Sequence, residues 1–316
     1  MTIKHLVISG GGPSIFQSLG AIQTLELNNF IDRSNIESIY GTSAGAVLGF
    51  LISLNYDCET IYDFMIKRPW KDVFNMKIEN ILAAYTKKGI FDEKTFEKCF
   101  RSLFDAKNIP LDVNLKDYHN NFSKIELHFF TFDINKFTIE DVSYLTYPEL
   151  RLLTAIQMSC CLPIIVSPVF IDNKCYIDGG IVCNYPLKYC IESGKLESEI
   201  LGFKNEYTKK EVLIDQSSTL LDYIVNFLYK LIQNMNADNK YISTITELVL
   251  EANLMTLDTL KNTINDITVR KQLFEKGEQT AKEFISKINN TNNTNNTNNT
   301  NNTNNTNNTN NTNNVN

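Results

Sequence analysis

Histidine is scarce in this sequence, three in 316 residues, and the scarcity narrows any hydrolytic chemistry at once. His5 precedes the first apolar segment, His119 sits in the polar run Asp117-Tyr118-His119-Asn120-Asn121, and His128 lies inside an apolar stretch beside Phe129. None falls late in the chain after a strand, where the Ser, acid, His order of an α/β-hydrolase requires its base. His128 fits a hydrogen-bonded core residue, and His119 a solvated loop residue, better than a general base. A Ser-His-Asp triad is therefore disfavoured.

Other absences exclude further classes. No apolar run is long enough to span a bilayer. The first apolar run, Leu6-Val7-Ile8, is far shorter than a signal-peptide hydrophobic region, so an intracellular protein is expected. The seven cysteines are an odd number with no Cys-x-x-Cys pair, no metal-like Cys/His spacing and one vicinal pair, Cys160-Cys161; they read as reduced thiols. No calcium loop of alternating carboxylates is present, and neither metal nor organic cofactor is expected. With a net charge of −6, the chain lacks the basic footprint of a nucleic-acid binder, and its overall attraction to anionic lipid is weak.

What is there is glycine in three telling places. Gly41-Thr42-Ser43-Ala44-Gly45 fits Gly-x-Ser-x-Gly between an apolar segment ending Ile39-Tyr40 and a helix-like run through Val47, Leu48, Leu51 and Ile52. A sharp strand-to-helix turn there needs small residues on either side, and it exposes the serine hydroxyl at a positive helix end. Alone, such a pentapeptide also serves plain helix–strand packing. Upstream, His5 to Ser9 reads as a buried strand, and Gly10-Gly11-Gly12-Pro13-Ser14 precedes a helix with Ile15, Leu19, Ile22 and Leu25 on one face. A loop without side chains can aim its backbone N–H groups at an anion, as a tight turn, a phosphate loop or an oxyanion hole. Its spacing fits neither Gly-x-Gly-x-x-Gly nor the P-loop, which lowers the nucleotide reading. Downstream, Val169–Ile171 and Cys175–Ile177 flank Asp172-Asn173 as a hairpin, and the second strand delivers Asp178-Gly179-Gly180. That acid is either a bare site carboxylate or a turn aspartate.

Between these motifs, residues 57–104 read as mostly helical and aromatic-rich, a core or one wall of an apolar pocket. Ile125–Asp133 is the best central strand, Tyr147-Pro148 opens a helix through Ser159 with Pro148 in its first turn, and Ile200–Phe203 is a last strand. Beyond residue 215 the pattern is long helices with no further strand. A broad apolar face over Leu220, Leu221, Ile224, Val225, Phe227, Leu228, Leu231 and Ile232 packs on the main body or lies at a membrane interface. From 289 the Asn-Asn-Thr repeats cannot form a core and read as a disordered tail.

Taken together and in this order, the glycine loop, the serine elbow and the Asp-Gly-Gly motif resemble the patatin-like phospholipase family over residues 5–205. Ala155-Ile156-Gln157-Met158-Ser159, Pro163, Pro168-Val169 and Asn184-Tyr185-Pro186 are similar to that family's approach to and continuation from its aspartate. The family commonly carries Arg or Lys just after the tri-glycine loop, where this chain has Pro13-Ser14. The resemblance implies an α/β fold of three α/β/α layers with a mostly parallel sheet, divided here as a domain at 1–205, a helical region at 206–288 and the tail at 289–316. It implies a Ser43–Asp178 dyad without histidine, an oxyanion hole from Gly10, Gly11, Gly12 and Ala44, and supporting glycines at Gly41, Gly45, Gly179 and Gly180. The expected activity is phospholipase A-type hydrolysis of a phospholipid or other acyl lipid at a transiently contacted membrane surface. Rival readings are a non-catalytic lipid-binding relative, and an acyltransferase or thioesterase using the same dyad. Whether a protein activator is needed stays open.

Overall fold

The structure is a computed structural model, and it describes residues 2–75, 78–207, 214–237, 244–253 and 256–306. The strands are β1 His5–Ile8, β2 Ser38–Thr42, β3 Gly89–Phe91, β4 Glu126–Asp133, β5 Thr138–Val142, β6 Ile164–Val166, β7 Val169–Ile171, β8 Lys174–Asp178, β9 Ile200–Tyr207 and β10 Thr246–Ala252. The first helices are α1 Ile15–Leu27, α2 Ala44–Ser53, α3 Cys58–Tyr62, α4 Trp70–Val73, α5 Ile78–Lys87 and α6 Glu93–Ala106. They are followed by α7 Leu115–Asn121, α8 Leu152–Cys160, α9 Leu187–Glu192, α10 Leu220–Ala237, α11 Leu257–Asn265 and α12 Ile267–Thr306.

Eight strands form one sheet in the order β10-β9-β1-β2-β4-β8-β7, with β5 also on β4, while β3 and β6 pair separately. From β10 to β4 every pairing is parallel; β5, β8 and β7 join in antiparallel pairs. The parallel strands inside the sheet, β1, β2 and β4, are buried on both faces, which is why they read as near-continuous apolar runs. Alternation sorts their side chains. Leu6, Ile8, Ile39, Phe129, Leu201 and Phe203 enter a large core with α1, α2 and α8, while Val7, Tyr40, Phe130 and Ile200 enter a smaller one with Leu187 and Cys190 of α9. Helices on both faces of a mostly parallel sheet make the three layers that the sequence implied.

Two expectations need correction. The region beyond 215 is not helical alone, because β10 extends the sheet in parallel register with β9, Leu248 opposite Phe203 and Leu250 opposite Asn205. Its alternation, with Leu248, Leu250 and Ala252 buried between exposed Val249 and Glu251, is a period of two set between helices. Nor does Pro148 lie in a first helical turn. Its carbonyl accepts from the N–H of Lys116, Leu150 N–H closes back on Tyr147, and Arg151 bridges to Asn114, so the chain is held extended at the start of α7 and α8 begins only at Leu152.

Helix α12 returns to the start of the chain and lies along α1. A side chain at Gly20 of α1 would overlap the Phe274 carbonyl, and one at Gly277 of α12 would overlap that of Gln17. The two glycines let the helix backbones touch. Phe284 and Ile285 are the last apolar side chains packed on the body among the described residues. The helix continues to Thr306, past the tail boundary expected at 289; residues 307–316, and the side chains from 291, lie outside the described residues. Along α10, Val225 is buried while Leu220, Tyr223 and Phe227 are exposed; the side chains of Leu221, Leu231 and Ile232 lie outside the described residues.

Candidate active site

The sheet topology brings Ser43 and Asp178 together. Strand β5 occupies one edge of β4 from Phe129 to Asp133, so β2 and β8 share the other edge. They approach along it from opposite directions: β2 ends with Thr42 opposite Phe130, and β8 ends with Asp178 opposite Thr131. Adjacent residues of β4 thus seat the two strand ends against each other. The Thr131 hydroxyl, buried at the junction, reaches the carbonyls of Met158 at 2.9 Å and Ile177 at 2.8 Å.

Beyond Thr42 the chain turns abruptly into α2. Ser43 adopts φ 54° and ψ −121°, a conformation costly for a residue with a Cβ and stable only when its surroundings impose it. A side chain at Gly45 would overlap the Ile8 carbonyl, and one at Gly41 would crowd the Gly45 carbonyl, so the two elbow glycines are what allow α2 to start this close to β1. The Ser43 N–H donates to Ser159 Oγ at 2.9 Å, and that hydroxyl donates to the Phe130 carbonyl at 2.7 Å. Cys160 Sγ donates to the Ser43 carbonyl at 3.3 Å.

Asp178 is buried, and burial pushes its carboxyl up from 3.8 to about 6, against the stabilising influence of the nearby Ser43 hydroxyl and of the hydrogen bond it accepts from the Gly180 N–H. The latter bond is 2.7 Å. Gly179 lies against the Phe130 carbonyl with no room for a side chain. None of the three histidines reaches this pair. His5 Nδ1 meets Ser38 Oγ at 2.8 Å, His119 stacks on Tyr144, and His128 bonds Asp141 at 2.8 Å while stacking on Tyr40.

The glycine loop crosses in front of Ser43. Gly12 has φ +52°, which a side chain would strain. One expected donor is corrected: the Gly10 N–H is spent on the Asn184 carbonyl at 3.0 Å. Its carbonyl is held in turn by Asn184 Nδ2, Asn205 Nδ2 and the Tyr207 hydroxyl at 3.1, 2.9 and 3.3 Å. Among the described residues the N–H groups of Gly11, Gly12 and Ala44 make no hydrogen bond. Gly11, Gly12, Ser43, Asp178, Gly180, Asn184 and Tyr207 line a cleft of about 140 Å³ whose apolar wall is Cys160, Leu162, Ile165, Val166 and Leu260. Among the described residues no lysine or arginine lines it. An arrangement with a hydroxyl on a buried carboxylate, unpaired amides opposite and an apolar wall suits nucleophilic attack on an uncharged carbonyl.

The sequence pattern of the patatin-like phospholipases matches residues 6–191, which span the glycine loop, the elbow and the aspartate motif. The chain belongs to the patatin-like phospholipase family. It is 27% identical over 191 residues to a probable lipid hydrolase of Invertebrate iridescent virus 6, covering 60% of this chain and 63% of that protein. It is 26% identical over 302 residues to an uncharacterised protein of Acanthamoeba polyphaga mimivirus, covering 91% and 95% of the two. In fold it is similar to VipD from Legionella pneumophila, with a TM-score of 0.57, 17% identity and coverage of 91% of this chain and 67% of that one.

Against that family pattern, the position after the loop is distinctive in structure as well as sequence. Ser14 is buried and accepts a 2.7 Å hydrogen bond from Asn205, so a polar clasp from β9 stands where a patatin-like phospholipase commonly has a cation. Asn205 and Tyr207 carry no motif that marks them in the sequence, and Ser159 stands there only as the end of the Ala155–Ser159 segment, with no role of its own. Ser159 looks there like one more position on a helix, and the other two lie past the strand end expected at Phe203. No helix among the described residues is long and apolar enough to cross a membrane.

Proposed function

We propose that this patatin-like domain is a lipid acyl hydrolase of the phospholipase A type, with Ser43 as nucleophile and Asp178 as its base. One observation carries the reading: Ser43 shares a cleft with the buried Asp178 carboxyl, close enough for its hydroxyl to stabilise the carboxylate, while burial raises that group's pKa to about 6, and the N–H groups of Gly11, Gly12 and Ala44 are unpaired among the described residues. Asp178 takes the serine proton as Oγ attacks the ester carbonyl, and the amides receive the oxyanion, each worth about 3–4 kcal/mol in comparable sites. Collapse of the tetrahedral species breaks the ester C–O bond. Asp178 returns the proton to the departing alcohol and leaves acyl-Ser43. Water, deprotonated by Asp178, then attacks the acyl carbonyl through the same oxyanion site; the released serine takes the proton back and the fatty acid leaves. Carboxylate is a weak base, and its burial raises its basicity toward the range in which general bases work. The substrate is an acyl lipid drawn from a membrane surface that the enzyme contacts transiently.

A fluorophosphonate probe tests the nucleophile: Ser43 is expected to be the labelled residue, and Ser43→Ala to lose the label together with esterase activity. Labelling elsewhere, or turnover in the alanine variant, would sink the assignment. The pH profile tests the base. Asp178 acts only when ionised, so kcat/KM is expected to rise through about pH 6 and to plateau above it.

A further inference from the structure

The loop amides of Gly11 and Gly12 make no hydrogen bond among the described residues, so their direction is set by other atoms of the same peptides. With glycine on both sides, the Gly10–Gly11 peptide is free to turn over, because neither residue carries a side chain that forbids the rotated dihedrals. A peptide unit is planar and trans, with its carbonyl and its N–H on opposite sides. Whatever holds the Gly10 carbonyl therefore also decides where the Gly11 N–H points.

That carbonyl is held by three donors at once: Asn205 Nδ2 at 2.9 Å, Asn184 Nδ2 at 3.1 Å and the Tyr207 hydroxyl at 3.3 Å. A carbonyl oxygen has two lone pairs, so a third donor goes beyond what satisfying the group requires. The next peptide is fixed in a similar way. The Gly11 carbonyl accepts from the Ser14 N–H at 3.2 Å, and the Ser14 hydroxyl accepts from Asn205 Nδ2 at 2.7 Å. Asn205 thus serves both peptides with one nitrogen, while its Oδ1 is buried with no partner among the described residues. An unsatisfied buried oxygen is a cost to the fold, incurred here at the side chain that grips the loop.

Asn205 and Tyr207 come from the part of β9 that runs on past β1. Strand β1 ends with Ile8 opposite Phe203, and its chain leaves there as the glycine loop. The two residues follow at a spacing of two and so stand on one face of the sheet. On its other edge the extension is paired with β10, Asn205 opposite Leu250 and Tyr207 opposite Ala252. Both lie outside the family-matched residues 6–191.

We propose that Asn205 and Tyr207 are positioning residues that lock the Gly10–Gly11 peptide, keeping the Gly11 N–H turned to the oxyanion. The turned-over peptide would present the Gly10 carbonyl oxygen in its place. The proposal rests on the acyl-hydrolase reading and adds to it two residues that act through the backbone. Because the amides meet the developing oxyanion and not the bound ester, losing their aim weakens transition-state binding and leaves ground-state binding alone.

The test uses the full-length protein and its Asn205→Ala, Asn205→Leu, Tyr207→Phe and Ser43→Ala variants. Three quantities are measured: kcat/KM for a p-nitrophenyl ester, Ki for an alkyl trifluoromethyl ketone, to which Ser43 adds to leave a tetrahedral oxyanion, and Kd for the matching p-nitrophenyl ether, which has no carbonyl to attack. Loss of a whole oxyanion donor lowers rates by about 10²–10³, so kcat/KM is expected to fall about a hundredfold in both Asn205 variants and about tenfold in Tyr207→Phe. Ki is expected to rise by the same factors, with Kd for the ether unchanged. A partly unfolded variant also turns over less ester, but its remaining folded sites keep the wild-type Ki. Asn205→Leu restores volume without a donor, so a packing role predicts recovery over Asn205→Ala and the peptide lock predicts none. Unchanged kcat/KM in the variants, a loss of rate without a matching rise in Ki, weakened ether binding, or recovery in Asn205→Leu overturns the inference while leaving the hydrolase reading intact. A wild type no faster than Ser43→Ala overturns the hydrolase reading itself, and the inference with it.

Discussion

In the proposed mechanism a carboxylate draws a proton from serine, which asks that it be held where ionisation is costly, and the burial of Asp178 does this at the expense of the fold. Its folded pKa is raised, so its contribution to stability is fully present below the unfolded value and lost as pH rises through about 6. A rise from 3.8 to about 6 corresponds to about 3 kcal/mol. Asp178→Asn keeps an oxygen for the Gly180 N–H and removes the buried charge. It is expected to abolish turnover yet raise the melting temperature at pH 8, with no gain at pH 4; equal melting temperatures at pH 8 would contradict the burial argument. Ser159 is a positioning residue, gripping the Ser43 N–H with one hydrogen bond and the Phe130 carbonyl with another. Ser159→Ala is expected to cut kcat about tenfold with little change in KM, because the elbow loses its aim rather than its substrate, and Ser159→Thr to restore most of it. The histidines act elsewhere. Burial opposes the charge on His128, but the Asp141 and Glu126 carboxylates outweigh it and raise its pKa. The stability it supplies is full below its unfolded value and lost as pH climbs through the raised one. His128→Gln is therefore expected to lower stability most at acidic pH while sparing kcat. At this scale Ser43 and Asp178 were legible because glycines flank both. Ser159, Asn205 and Tyr207 were not, since a polar side chain that serves a distant backbone group leaves no local spacing behind.

Among the elements, the elbow depends on how closely α2 approaches β1. Gly45→Ala would drive a methyl group into the Ile8 carbonyl, and an overpacked contact costs about 1–3 kcal/mol. The expected result is a lower melting temperature and slow probe labelling, since α2 must lift away from the sheet and carry Ser43 with it. Strands buried on both faces were readable as apolar runs, and the hairpin of β7 and β8 was readable from Asp172-Asn173. Asp172 adopts φ +52° in that turn, as an aspartate tolerates. Strand β10 was obscured because its alternation spans only Thr246–Ala252 between helical patterns. The start of α8 was misread because tertiary hydrogen bonds to α7, rather than the proline, decide where it begins.

For the molecule as a whole, the boundary that matters is the one between packed chain and repeat. Ending the protein at 288 keeps every apolar contact described here, so unchanged ester turnover and a melting temperature within about 1 °C are expected. Ending it at 205 is expected to give insoluble protein. It strips β10 from the edge of β9 and α12 from α1, exposing a sheet edge and a helix face that are buried in the complete fold.

The backbone contact between Gly20 and Phe274, mirrored by Gly277 and Gln17, also has a consequence in time. Helix α1 leads directly out of the glycine loop, yet its partner lies some 250 residues later in the order of synthesis. A nascent chain can pair β1 with β2 and form the serine elbow long before α12 leaves the ribosome, but α1 then has nothing to rest against. Contacts this distant in sequence form late. The glycine loop therefore acquires its support only once α12 has been made, and under the proposed mechanism a chain stopped before α12 is expected to be inactive.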